Sequence, residues 1–401
     1  MAHAFIPYGI YWSTPFAKWQ GTLAHLHSMK LAANCGKAAL EAKKFPLEAI
    51  DYAVLGITNP QPSSFYGLPW LTGMMGIDRV TGPTVTQACA TSARSLQMAT
   101  QEVAEGASQC ALVVCADRMS NAAVIYYPDA TAPGGRGITE SWSLDNFGND
   151  PYARNAMIDT AENVSRRHGF TTAQQHEVAL QRYQQYQEAL AGDRAFQRRY
   201  MVDVPITDAG FRKQTGTFSA DDGIVNTTAE GLAKLKPVKP DGTVTFGGQT
   251  HPADGNAGMI VTTQGGAREL SLNPNIEVEL LGFGNARVEK GYMPAATVPA
   301  AYLALKAAGL EMKDVTAVKS HNPFAANDLV FSKETGFPLE KMNNYGCSLI
   351  WGHPQGPTGL RSTIELIEEL ALRGGGIGLF TGCAAGDSGM ALVLKVSDGK
   401  R

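Results

Sequence analysis

The stretch Thr84-Val85-Thr86-Gln87-Ala88-Cys89-Ala90-Thr91-Ser92-Ala93 sets one cysteine at the end of a β-branched run, among small residues. Residues 94–103 carry apolar side chains at helical spacing, so strand, tight turn and helix are expected, with Cys89 at the helix N-terminus. Unpaired backbone N–H groups and the helix dipole favour a thiolate there, so the Cys89 pKa is expected to fall. The small neighbours leave a reactant room at the sulfur. A free cysteine is more often an inert core residue than a nucleophile, so the company it keeps decides.

Three more stretches look unlike ordinary core. Ser320-His321-Asn322-Pro323-Phe324-Ala325-Ala326-Asn327 reads as a strand end turning into a helix. Residues 343–359 surround His353 with Gly and Pro, and residues 381–389 form a small-residue turn around Cys383 between two strands. Two histidines and a second cysteine thus sit at strand ends or in Gly-rich turns, where α/β sheets hold their sites. His25, His27, His168, His176 and His251 have weaker contexts, and His168 and His176 read most simply as surface residues of helices.

The elements that must position these groups alternate. Helices are expected at 23–42, 65–75, 297–308 and 358–373. Buried strands are expected at 51–57, 110–116, 258–262, 275–283 and 315–320, with a hairpin of 376–381 and 390–396. Such an alternation implies a largely parallel sheet covered on both faces. Residues 126–151 show no period, 157–168 and 172–191 read as polar amphipathic helices, and 203–244 reads as loop. Residues 119–247 are therefore expected as an insertion, and so long an excursion is usually functional. The domains expected are 1–270, carrying that loop domain, and 271–401. The two halves share an order of elements, which suggests a duplicated α/β unit with the ligand where the halves meet.

The chain has 401 residues, 44% hydrophobic and 18% charged, and a net charge of -3. That suits a globular protein and gives no reason to expect nucleic acid or a membrane surface. Residues 1–15 lack the pattern of a signal peptide, and no apolar run is long enough to span a bilayer. Six cysteines without C-x-x-C spacing argue against a zinc site or disulfide framework and for a reducing cytoplasm.

These blocks resemble the thiolase family. Gln87-Ala88-Cys89-Ala90-Thr91-Ser92 resembles its nucleophile block, and His321-Asn322-Pro323-Phe324-Ala325 its N/H-E-A-F-A block. Gly352-His353-Pro354-Gln355-Gly356-Pro357-Thr358-Gly359 resembles G-H-P-x-G-x-S/T-G, and Cys383-Ala384-Ala385-Gly386 the C-x-G block. Met157 with Thr160-Ala161-Glu162-Asn163-Val164 resembles the M-x-x-T-A-E-N-V helix of the loop domain. The resemblance covers essentially the whole chain in the right order. It implies the duplicated thiolase fold, two similar five-layered α/β/α/β/α halves with an inserted loop domain, and a homodimer or dimer of dimers.

It implies thiolytic cleavage of a 3-oxoacyl-CoA by CoA, or the reverse Claisen condensation, in fatty or aromatic acid β-oxidation. Cys89 would be acylated, His353 would take its proton and hold the thiolate as an ion pair, and Cys383 would move the proton at the α-carbon. One oxyanion hole would use His353 and His321, the other the backbone N–H groups of Cys89 and Ala385. Met157, Thr250, Phe324, Ala325, Arg212 and Gly386 would contact substrate or CoA. Coenzyme A is the substrate, and neither cofactor nor metal is implied.

Departures are equally specific. Asn322 and Pro323 replace the usual Glu and Ala, and Phe246 and His251 are bulkier than the family pattern. Residues 221–227 lack an Arg often found near the CoA phosphates, for which Arg212 or Lys213 would substitute. Together these point to a branched, bulky or aromatic substrate rather than acetoacetyl-CoA. Two other readings stay open: a decarboxylating 3-oxoacyl synthase using Cys89, His321 and His353, and a non-catalytic acyl-CoA-binding or scaffold subunit serving a partner enzyme.

Overall fold

A computed structural model describes residues 3–399. The first elements are β1 (Ala4–Pro7), β2 (Tyr11–Ser13), β3 (Ala17–Lys18), α1 (Ser28–Ala42), β4 (Tyr52–Gly56), α2 (Gly67–Met75), β5 (Thr84–Val85), α3 (Thr91–Ala104) and β6 (Cys110–Arg118). A long excursion follows, with β7 (Val124–Tyr127), β8 (Ile138–Ser141), α4 (Leu144–Gly148), α5 (Met157–His168), α6 (Thr172–Arg194), β9 (Val204–Thr207), β10 (Gln214–Phe218) and α7 (Ala229–Ala233). β11 (Ala253–Thr262) returns to the sheet. Then come α8 (Gln264–Leu270), β12 (Ile276–Arg287), α9 (Thr297–Ala308), β13 (Ala317–His321), α10 (Ala325–Thr335), α11 (Ser348–Trp351), α12 (Gln355–Leu372), β14 (Gly375–Ala384) and β15 (Ser388–Asp398).

The strands lie in the order β13-β14-β15-β12-β1-β11-β6-β4-β5. β4 runs parallel to β6, and β11 is antiparallel to both β6 and β1. β13 runs parallel to β14, and β15 is antiparallel to both β14 and β12. The series β1-β11-β6-β4 therefore recurs as β12-β15-β14-β13. The two series join where β1 and β12 pair antiparallel, Ala4 opposite Leu280 and Pro7 opposite Glu277.

Side chains alternate across these strands, as the two-residue period requires. In β6, Val113 and Cys115 face a central core with Leu96 of α3 and Ile364 of α12. Leu112 and Val114 face an outer core with Met29 and Leu40 of α1. In the second half Val393 and Leu379 face Ala300 and Ala304 of α9. Five layers result: α1 and α2, one sheet half, α3 packed on α12, the other sheet half, and α9 with α10.

α12 is buried almost along its whole length although its sequence reads as amphipathic. Its charges are paired inside. Glu368 accepts from the hydroxyls of Tyr8 (2.9 Å) and Tyr11 (2.6 Å) and from Arg199 (2.6 Å). Arg361 donates to Asp221 through Nη1 at 2.6 Å and Nη2 at 2.8 Å. Asp221 lies in the excursion, so this pair fastens the inserted region to the central layer.

The sheet is mixed rather than largely parallel, since among the described strands only β4–β5, β4–β6 and β13–β14 pair parallel, and three local expectations change as well. The first helix starts at Ser28, not residue 23, because the His27 side chain accepts from the Met29 N–H and caps it, while successive turns occupy 21–26. Residues 126–151 and 203–244 each contain a hairpin and a short helix. Their strands span four or five residues between Gly- and Pro-rich turns, too few for a period to register.

Candidate active site

Cys89 stands between β5 and α3, in a turn held by Thr91. The Thr91 hydroxyl accepts from the Gln87 N–H (2.9 Å) and donates to the Ala88 carbonyl (2.7 Å). Ala88 has a φ of 46°, the left-handed region that a side chain adopts only where the surrounding contacts fix it. Cys89 stays partly accessible and lines a cavity of about 310 Å³ with Met119, Phe147, Met157, Thr250, Phe324 and His353.

His353 stands before α12. Its Nε2 lies 3.1 Å from Cys89 Sγ, and its Nδ1 lies 2.7 Å from Thr358 Oγ1. Its backbone N–H donates to the His251 carbonyl (2.9 Å), which anchors the loop to the residues entering β11. Gly352, at φ 89°, is needed there, since a Cβ would come within 2.8 Å of His251 Nε2 and 2.9 Å of Ala253 Cβ. Just beyond, the Gly356 N–H donates to Asp117 (2.7 Å) and its carbonyl accepts from the Ser92 hydroxyl. Asp117 also accepts from the Thr58 and Asn59 N–H groups, so one carboxylate joins the end of β6 to the start of α12.

His321 ends β13 and stacks on His353, with ring centroids 3.9 Å apart. Its Nδ1 lies 2.9 Å from Ser348 Oγ, and its buried Nε2 has no protein partner. One ligand atom each from Cys89, His321 and His353 falls within 4.8 Å of the others. That group of one thiol and two imidazoles, which spacing alone argued against, has the chemistry to hold a zinc-like cation.

Cys383 is fully buried near the end of β14, and the Asn327 amide donates to its sulfur at 3.2 Å. The backbone N–H groups of Ala385 and of Cys89 itself favour negative charge on Cys89 Sγ, but the net shift is upward, contrary to expectation. Burial outweighs them and pushes the Cys89 thiol up to about 12. Burial and the neighbouring His321 hold His353 well below the usual imidazole range, and burial lowers His321 to about 3. The Cys383 thiol is raised too, by burial first and the Cys89 charge second. Both shifts favour a thiol beside a neutral imidazole over a thiolate–imidazolium pair.

The remaining expected residues divide. Met157 and Phe324 line the cavity. Thr250 lines it too, but its hydroxyl donates to the Ser348 carbonyl, leaving only acceptor capacity for a ligand. Ala325 lies in the core beside Phe16 and Trp351, away from the cavity wall. Gly386 borders a second cavity. Arg212 lies exposed beyond β9, 3.7 Å from Asp208, and lines neither cavity. Asn322 accepts from Leu349 N–H and donates to Asp328 and the Cys347 sulfur, so its turn is tied into a buried network. Phe246 and His251 line a separate surface cavity. His168 and His176 are less exposed than expected, one stacked on Phe170 and the other 2.8 Å from Thr245 Oγ1.

Sequence reasoning missed Thr358, Ser348, Asn327 and Asp117 as supports. Thr358, Ser348 and Asn327 stood inside the stretches singled out, where a polar residue near each reactive group was a usable signal. Asp117, outside them, offered none.

The residues match known family models. Residues 12–265 match "Thiolase, N-terminal domain" and 275–396 match "Thiolase, C-terminal domain". The acetyl-CoA acetyltransferase of Escherichia coli (strain K12) is 29% identical over 391 residues, covering 95% of this chain and 96% of that protein. The mitochondrial 3-ketoacyl-CoA thiolase of Homo sapiens is 28% identical over 389 residues, with 95% and 96% covered. The crystal structure of the human mitochondrial 3-ketoacyl-CoA thiolase superposes with a TM-score of 0.89 at 26% identity, covering 98% of each chain.

Proposed function

This chain belongs to the thiolase family, and on that premise we propose that it is an acyltransferase that cleaves a 3-oxoacyl-CoA with CoA, or runs the reverse condensation, through an acyl-Cys89 intermediate. The observation that carries this is the 3.1 Å approach of His353 Nε2 to Cys89 Sγ in a cavity.

In thiolysis the Cys89 thiol gives its proton to His353 Nε2 as sulfur attacks the C3 carbonyl. With Nδ1–H donated to Thr358, Nε2 carries the lone pair this step needs. The N–H groups of Cys89 and Ala385 receive the new alkoxide. The C2–C3 bond then breaks and its electron pair forms the thioester enolate. The His353 imidazolium and the otherwise unpartnered His321 Nε2 face that oxygen, while Ser348 Oγ, 2.9 Å from His321 Nδ1, holds the ring in place. The Cys383 thiol protonates C2, and acetyl-CoA leaves while the shortened acyl group stays on Cys89. Incoming CoA gives its thiol proton to the Cys383 thiolate, attacks the acyl-Cys89, and the His353 proton returns to the Cys89 sulfur.

Pantetheine is placed along the Thr250, Pro323 and Phe324 side of the cavity, and no cofactor is required. The substrate is branched, bulky or aromatic, a reading supported by Ala156 and Phe147 at the wall. An open outer edge on β5 and the exposed Phe65 and Tyr66 support a homo-oligomer.

The test is intact-protein mass spectrometry after brief incubation with acetyl-CoA, with peptide mapping. One acetyl group on Cys89, removed by added CoA, is expected. Failure of every acyl-CoA in a panel to label Cys89 would refute the proposal. The stacked His321 and His353 beside one cysteine favour a second reading, decarboxylative condensation. Release of CO₂ from a malonyl thioester that survives loss of Cys383 would establish it.

A further inference from the structure

The site opens into two cavities with a common wall. One, of about 310 Å³, holds Cys89; the other, of about 600 Å³, lies beyond Phe147, Met157, Gln355 and Ala385, which border both. A thioester reacting at Cys89 has two arms. If pantetheine takes the Thr250 and Phe324 side, as proposed above, the acyl arm points past the shared wall into the second cavity.

That cavity is less apolar than the first and carries two carboxylates and one guanidinium. Its two carboxylates are engaged by their own loop. Glu140 accepts from the Asn146 amide at 2.6 Å, and Asp150 accepts from the N–H groups of Tyr152 (2.7 Å) and Ala153 (2.8 Å). Arg287 is different. It donates to the Gly386 carbonyl at 3.1 Å and sits 5.3 Å from the Tyr152 ring, and among the described residues no carboxylate forms an ion pair with it. Asp387 is near enough to feel its charge, but that carboxylate accepts from the Gly291 N–H at 2.8 Å. Lys290 lies 5.6 Å from the same Tyr152 ring but does not line the cavity. A guanidinium with donors to spare suits a planar anion.

We infer that the second cavity receives the far end of the acyl group and that this end carries a carboxylate, so the substrate is a 3-oxo-dicarboxylic acid joined to CoA at one end. Arg287 is then a specificity-determining residue. The inference rests on the thiolase reading above.

The experiment measures thiolysis kcat/KM for pairs of 3-oxoacyl-CoA thioesters of equal chain length, one with a terminal carboxylate and one with a terminal methyl. The wild-type protein is expected to favour the carboxylated member by roughly tenfold or more. Arg287→Gln is expected to collapse that ratio, Arg287→Lys to keep part of it, and added salt to shrink it, because the cavity is open to solvent. A wild-type preference for the methyl-ended member, or a ratio unchanged in Arg287→Gln, overturns the inference. Labelling of Cys89 by acetyl-CoA is followed in the same preparations. Labelling without carboxylate preference removes the inference alone, and absence of labelling and turnover with every thioester removes both.

Discussion

Cys89 and His353 occupy matching positions in the two halves: each stands two residues before its helix, Cys89 before Thr91 of α3 and His353 before Gln355 of α12. α3 precedes β6 as α12 precedes β14, and the two helices pack together in the central layer. The same point of one repeated unit thus supplies the nucleophile in one half and its base in the other.

The base depends on Thr358. Thr358→Val removes the acceptor for His353 Nδ1–H while keeping the side-chain shape. A ring freed to rotate should lower kcat/KM by up to about a hundredfold. Circular dichroism should be unchanged, and Thr358→Ser should restore most of the rate. Equal activity in the Val and Ser variants would show that the hydroxyl does not orient the ring.

Cys383 separates the two half-reactions. Acetyl transfer from acetyl-CoA to Cys89 needs no proton at an α-carbon, whereas cleavage of a 3-oxoacyl-CoA does. Labelling needs Cys383 only to protonate the departing CoA thiolate, a good leaving group, so Cys383→Ala should slow labelling of Cys89 far less than turnover, which should fall by about a hundredfold to ten-thousandfold. Equal loss of labelling and turnover would show that Cys383 does not act at the α-carbon.

The resting protonation state can be read from alkylation. With the Cys89 thiol raised to about 12, its thiolate is scarce at neutral pH, and each unit of rising pH increases it about tenfold. The rate of Cys89 alkylation by iodoacetamide should climb through neutrality and past the usual cysteine value of about 8.5 without a plateau. A plateau in the acid range would reveal a resting thiolate–imidazolium pair.

Arg361 and Asp221 are both fully buried and joined by two hydrogen bonds. Arg361→Ala leaves the Asp221 carboxylate inside without that partner and should cost about 3–5 kcal/mol in denaturant unfolding. Adding Asp221→Asn should recover part of the loss. If the two effects simply add, the pair does not act as a unit.

Much of the site was legible in the chain because short motifs stay contiguous around Cys89, His353 and Cys383. Strands such as β6 were legible because they are buried on both faces and read as apolar runs. What stayed hidden depends on distant residues. The Cys89 environment was misjudged because a helix N-terminus is visible in sequence, while burial beneath the second half is not. Asp117 looks like an ordinary polar residue until Gly356 is folded against it.

β1 joins the halves, and its partner β12 lies far along the chain. During synthesis β1 emerges with the first elements but finds its seam partner only after most of the chain exists. The first half therefore waits with one edge of its sheet unsatisfied, a surface that invites wrong pairing. Closing so distant a contact is slow. Completion of the sheet and assembly of the Cys89–His353 pair thus belong to the same late event, and a half-made chain is inert.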